Sequence, residues 1–127
     1  MIAFLVGTFL ILHGLLHPGV WTVPARADAQ TTPFDPGHSW ALAAAHVSDP
    51  SARATASALA WYTALVYVIA GTGVFAGSGW WPVAAAVGAT AGLALKAIWF
   101  DPWLTVGVLL DVGVLVAVVC AWPASLH

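Results

Sequence analysis

Trp80–Phe100 (WWPVAAAVGATAGLALKAIWF) and Pro102–Trp122 (PWLTVGVLLDVGVLVAVVCAW) meet at Asp101, and the reading of these two runs decides the fold. Each is about 20 residues of nearly unbroken apolar sequence, the length at which a helix crosses a hydrocarbon core of ~30 Å. Each carries one ionisable residue inside it, Lys96 in the first and Asp111 in the second. A charge within such a span is costly and marks a functional site by default.

The rest of the chain agrees with a membrane setting. Of its 127 residues, 61% are hydrophobic and only 6% are charged, and the mean hydropathy is +0.94. A soluble domain carries about 25% charged residues, so this chain cannot cover a water-facing surface. The expectation is one domain, 1–127, an all-α polytopic membrane protein built as an antiparallel four-helix transmembrane bundle. The net charge of −2 gives no reason to expect a nucleic-acid partner. The one cysteine, Cys120, cannot form an internal disulfide, and no Cys-rich metal motif is present.

Working outward, the spans fall at about 1–17, 52–76, 80–100 and 102–122, with a long polar connection over 18–51. Pro18-Gly19 is expected to stop the first span. ARADAQ (25–30) contains A-x-A patterns, yet no basic residue precedes the first apolar run, as a signal peptide would require. Ser39 is placed to cap a short helix over Trp40–Val47, and Asp35-Pro36 reads as a turn. Asp49-Pro50 and Asp101-Pro102 both read as a cap followed by Pro at a helix start. Gly77-Ser78-Gly79 reads as a tight turn. Four crossings put both termini on one side. Arg26, Arg53 and Lys96 lie toward the other, which the positive-inside rule makes cytoplasmic. Trp21, Trp40, Trp99 and Trp103 on that side, and Trp80, Trp81 and Trp122 on the other, read as two interfacial belts.

Small residues set the packing. Gly88 and Gly92 form a small-xxx-small ridge that Lys96 continues, and Asp111 follows Gly107 at i+4. Close helix approach in lipid uses such residues, so both charges are expected to face the bundle interior or an oligomer interface rather than lipid. Asp111 lies ~13–15 Å into its helix at 1.5 Å per residue. Lys96, one turn from its helix end, has two courses open: to snorkel to the interface or to reach down to Asp111 as a buried ion pair.

His13 and His17 share one helical face (HGLLH). That spacing presents two imidazoles to one site or to one metal ion. His38, His46, Asp35, Asp49 or Asp101 would have to supply a third ligand. Tyr62 and Tyr67 lie within the second span, where their hydroxyls need partners; Asp111 and His13 are candidates. Trp61 lies beside them. No nucleophile elbow, phosphate loop or H-E-x-x-H motif is present.

HGLLH closing the first span, SWAL in the connection, the Trp80-Trp81 pair and the W-F-D-P-W-L-x-x-G-x-x-x-D run together resemble a group of small, uncharacterised four-span bacterial membrane proteins. A weaker similarity is to DoxX-like four-span proteins, whose first span also carries a late His-Gly. The resemblance implies a four-helix membrane bundle and no established activity.

The functional expectation is a half-membrane pocket for a small hydrophobic or lipid-like molecule, with His17, Lys96, Tyr62, Tyr67, Trp61 and Asp101 as ligand-binding residues. Its setting is the cell membrane, as a homo-oligomer or as an accessory subunit of a larger membrane complex. One alternative is a small membrane enzyme using His13 and Asp111 for acid–base chemistry. Another is a metal ion or haem held by His13 and His17; no cofactor follows from the sequence itself.

Overall fold

The computed structural model describes residues 1–22 and 34–126. Arg26, Asp28, Pro24 and Pro33 lie outside the described residues. Helix α1 spans Ile2–Trp21, a short α2 spans Trp40–Ala44, α3 spans Asp49–Phe75, α4 spans Trp81–Ile98 and α5 spans Thr105–Val119, the last preceded by a 3₁₀ turn at Pro102–Leu104. Four helical segments are long and apolar enough to cross a membrane, and among the described residues there is no strand. The protein is an all-α, multi-pass membrane helix bundle.

Local chemistry sets the helix ends. α3 closes in a Schellman arrangement: the Ser78 amide donates to the Gly73 carbonyl and the Gly77 amide to Val74. Gly77 supplies the left-handed conformation this requires, at φ +63°. α4 begins with Pro82 in its first turn. Asp101 caps the turn before α5 by accepting from the Trp103 amide at 2.8 Å. Ser39 caps α2 as expected, accepting from Leu42. His46 turns left-handed at φ 58°, so α2 ends at Ala44 rather than Val47. Asp35 forms its turn by accepting from the Gly37 amide at 2.8 Å.

Other boundaries differ from expectation too. α1 runs through Pro18 to Trp21. So near a helix end, proline forfeits little, and the Thr22 amide and hydroxyl both donate to the Pro18 carbonyl. At α3 the capping position is Ser48, not Asp49. Asp49 instead places its charge in the first turn, where the helix dipole favours an anion.

Packing follows the chain order, α1 on α3, α3 on α4 and α4 on α5, while α1 and α5 scarcely pack against each other. The register is antiparallel at every step. A Cβ on Gly7 would meet Phe75 and the Gly71 carbonyl, and one on Gly14 would meet Tyr67 and Ala64. Gly88 lies on the Tyr67 ring, and Gly73 on Trp80 and Trp81. Small residues let these backbones approach closely, as in other lipid-embedded bundles.

The tryptophans divide differently from two simple belts. Trp40, Trp80, Trp103 and Trp122 are exposed, but Trp21, Trp81 and Trp99 are buried. Trp21 stacks edge-on against Phe34 and Trp99. Segment 34–44 is therefore not a free surface helix. Ser39 donates to the Ile98 carbonyl, Trp40 to Ala97, and Trp99 donates back to Pro36. The last carbonyls of α4, which have no helical partner of their own, are satisfied by this strap. Arg53 ties it to α3 through Asp35 at 2.6 Å.

Candidate functional site

Asp111 is the centre of the site. It lies on the inner face of α5 and is fully buried. Its Oδ1 accepts from His13 Nε2 at 2.7 Å and from the Tyr67 hydroxyl at 2.6 Å. Its Oδ2 accepts from Lys96 Nζ at 2.7 Å. One carboxylate thus joins α1, α3, α4 and α5. Lys96 does not snorkel: it is 4% exposed and also donates to His17 Nε2 at 2.9 Å. An unpaired charge at this depth costs at least about 2.5–3.5 kcal/mol. Hydrogen bonds to a charged group return about 1.5–3 kcal/mol each. The pairing is therefore what permits the two charges to be there.

The partners fix the imidazole tautomers. His17 Nδ1 faces the His13 carbonyl at 3.1 Å and must donate to it, so Nε2 carries the lone pair that accepts from Lys96. His13 donates through Nε2 to Asp111. Its Nδ1 is buried and has no hydrogen-bond partner among the described residues, and the same is true of the Thr63 hydroxyl. Both rings also pack on Tyr67, His13 edge-on at 5.0 Å and His17 stacked at 5.9 Å.

Two glycines make room for the charges, crosswise. A Cβ on Gly92 would collide with Asp111 Oδ2 and lie 3.0 Å from His17 Nε2. One on Gly107 would lie 2.6 Å from Lys96 Cε. The glycine one turn before each charge therefore accommodates the other helix's charge.

A cavity of about 340 Å³ opens beside this cluster, between α1 and α5. His13, His17 and Lys96 are its polar wall; Trp21, Trp103, Val106 and Leu110 are among its apolar lining. Asp111 is not on that wall. Seen from the cavity, the site presents two imidazoles and an ammonium, with the carboxylate behind them. A second, wholly apolar cavity of about 250 Å³ continues along the same seam, lined by Phe9, Leu110, Gly113, Ala117 and Trp122 among others.

Of the residues singled out from sequence, His13, His17, Tyr67, Lys96 and Asp111 come together. Trp61 and Tyr62 do not: they are 58% and 49% exposed on the outer face of α3. In an α-helix, neighbours in sequence point apart, so Tyr67 inward leaves those two outward. Asp101 serves as the cap described above and is outside the cluster. His38 and His46 are exposed. Asp35 is engaged by Arg53. The sequence reading did not find Trp103, Leu110 or Gly113 as cavity residues; nothing in their local pattern distinguishes a seam from a lipid-facing surface.

His13, His17 and Asp111 each offer a donor atom, all within 4.8 Å of one another, a spacing that could hold a metal ion. The Lys96 ammonium, however, already bonds His17 Nε2 and Asp111 Oδ2. It occupies the place of a cation in the cluster.

No protein-family model, curated protein or solved structure matches this chain.

Proposed function

We propose that this protein is a membrane-embedded binding protein whose cavity between α1 and α5 takes a small hydrophobic or lipid-like molecule. The observation that carries this reading is the cavity wall: three buried polar side chains facing an otherwise apolar chamber. Ligand sites are mostly apolar with a few placed polar groups. Asp111 and Tyr67 act from behind, as positioning residues that hold His13 and Lys96 in place. The small chain then works as a homo-oligomer or as an accessory subunit in the cell membrane. The positive-inside bias of Arg26, Arg53 and Lys96 supports an orientation with the long connection toward the cytoplasm and both termini outward.

Native mass spectrometry of protein extracted in mild detergent tests this. The expected result is an added mass of a small-molecule ligand, at least about tenfold less occupied in His17→Ala. A tenfold loss is about 1.4 kcal/mol of binding. A folded protein that retains no added mass from its native membrane contradicts the reading.

A second reading, a metal centre on His13, His17 and Asp111, is favoured by the donor spacing. In it Lys96 is the competitor. Lys96→Met is expected to raise zinc affinity at least about tenfold over wild type, read by equilibrium dialysis. Unchanged affinity contradicts a metal role for the cluster. Haem has less support, since both Nε2 atoms are already engaged.

A further inference from the structure

We infer that the ligand class is a long-chain carboxylic acid, its head at Lys96 and His17 and its chain laid along the α1/α5 seam. This rests on the pocket reading above and narrows it.

α1 and α5 close the ring of four long helices, yet they scarcely pack. Among the described residues they are linked through polar groups by the buried His13–Asp111 hydrogen bond, with His17 Nε2 3.9 Å from the same carboxylate. Outside that bond the seam holds the two cavities, and Leu110 lines both. Along α5 the lining runs from Val106 to Val118, which is ~18 Å at 1.5 Å per residue. Leu16, Val20 and Trp103 mark one end; Trp81, Trp122 and Pro123 mark the other. The shape suits one extended chain better than a bulky ring system.

The polarity is one-sided. All the charged and imidazole groups lie in the chamber toward the Trp103 end, and the other chamber is apolar. Lys96 has three donors. Two are well used, at 2.7 and 2.9 Å; the third reaches only the Gly92 carbonyl at 3.4 Å. An oxygen acceptor in the chamber would satisfy that donor. The carboxylate of Asp111 is shielded behind the ammonium, so the wall is complementary to an acidic head and not to a cationic one. A carboxylic acid brings its own proton, and His13 Nδ1 is the imidazole nitrogen that has no partner among the described residues and could accept it. No net charge then enters the bilayer. The polar chamber opens toward the Trp21 and Trp103 end, and the apolar one runs from mid-helix toward the Trp81 and Trp122 end.

The test uses the full chain in mild detergent, with native mass spectrometry after equilibration with hexadecanoic acid, hexadecan-1-ol or octanoic acid. Hexadecanoic acid is expected to bind at least about tenfold tighter than either of the others. Gly113→Phe is the variant used, because Gly113 lines the apolar chamber and a Cβ there meets nothing within 4 Å. It is expected to fill the apolar chamber and remove most of the chain-length preference, while keeping the acid-over-alcohol preference. Equal binding of acid and alcohol overturns the carboxyl assignment yet leaves the pocket reading standing. An undiminished chain-length preference in Gly113→Phe overturns the path of the chain. A dimer that falls apart in Gly113→Phe and binds none of the three overturns the proposal in favour of a second copy on the seam. If none of the three binds, the inference fails, and retention of a native ligand in the earlier experiment decides whether the pocket reading fails with it.

Discussion

Asp111→Asn is expected to destabilise the bundle by about 3–5 kcal/mol, the cost of removing one partner from a buried ion pair. The amide keeps the size of the carboxyl and can still accept from Tyr67 and His13. Its NH₂ group, or a neutral oxygen in its place, no longer balances the Lys96 ammonium, which sits 2.7 Å away and is almost wholly buried. The lost interaction is thus one of charge rather than of packing. Reversible unfolding in mixed micelles reads the change. A loss below about 1 kcal/mol, the ordinary effect of a point substitution, would mean the carboxylate is not paired as described.

Gly92→Ala is expected to cost about 3 kcal/mol, at the upper end for an overpacked site. The added methyl would occupy the space of Asp111 Oδ2 and crowd His17 Nε2. Neither neighbour can yield without breaking the bonds that hold Lys96. Gly113→Ala is the control: its Cβ meets nothing, and alanine is the better helix former by about 1 kcal/mol. The same chemical change should therefore give opposite signs at two glycines on neighbouring helices. Equal effects at both positions would show that the α4/α5 register is not the one described.

Much of the bundle was legible because lipid imposes a strong rule: apolar length reads directly as a spanning helix. The inward facing of Lys96 and Asp111 was legible for a related reason, since each shares a helical face with a glycine one turn before it. What sequence could not give was the crosswise fit, in which Gly92 serves Asp111 and Gly107 serves Lys96. That depends on the register between helices, which no single span encodes. Tyr67 was a sound candidate partner for Asp111, but Trp61 and Tyr62 were grouped with it by nearness in sequence, and a helix separates such neighbours. Trp21 and Trp99 looked like interfacial anchors by position. Their burial comes from residues 34–44 folding back over the end of α4, a long-range contact without a local signature. The seam was hidden for the same reason: two apolar helix faces look alike whether they meet lipid, each other or a ligand.

The central claim is that one ammonium–carboxylate pair holds the four helices around the cavity. The direct measurement is a double-mutant cycle on Lys96→Met and Asp111→Asn, read as unfolding free energy in mixed micelles. The account predicts that each single variant is strongly destabilised and that the double variant is more stable than the sum of the two would allow, with a coupling of about 2–3 kcal/mol, toward the upper end for residues in contact. Additive effects, with coupling within about 0.5 kcal/mol of zero, would contradict it.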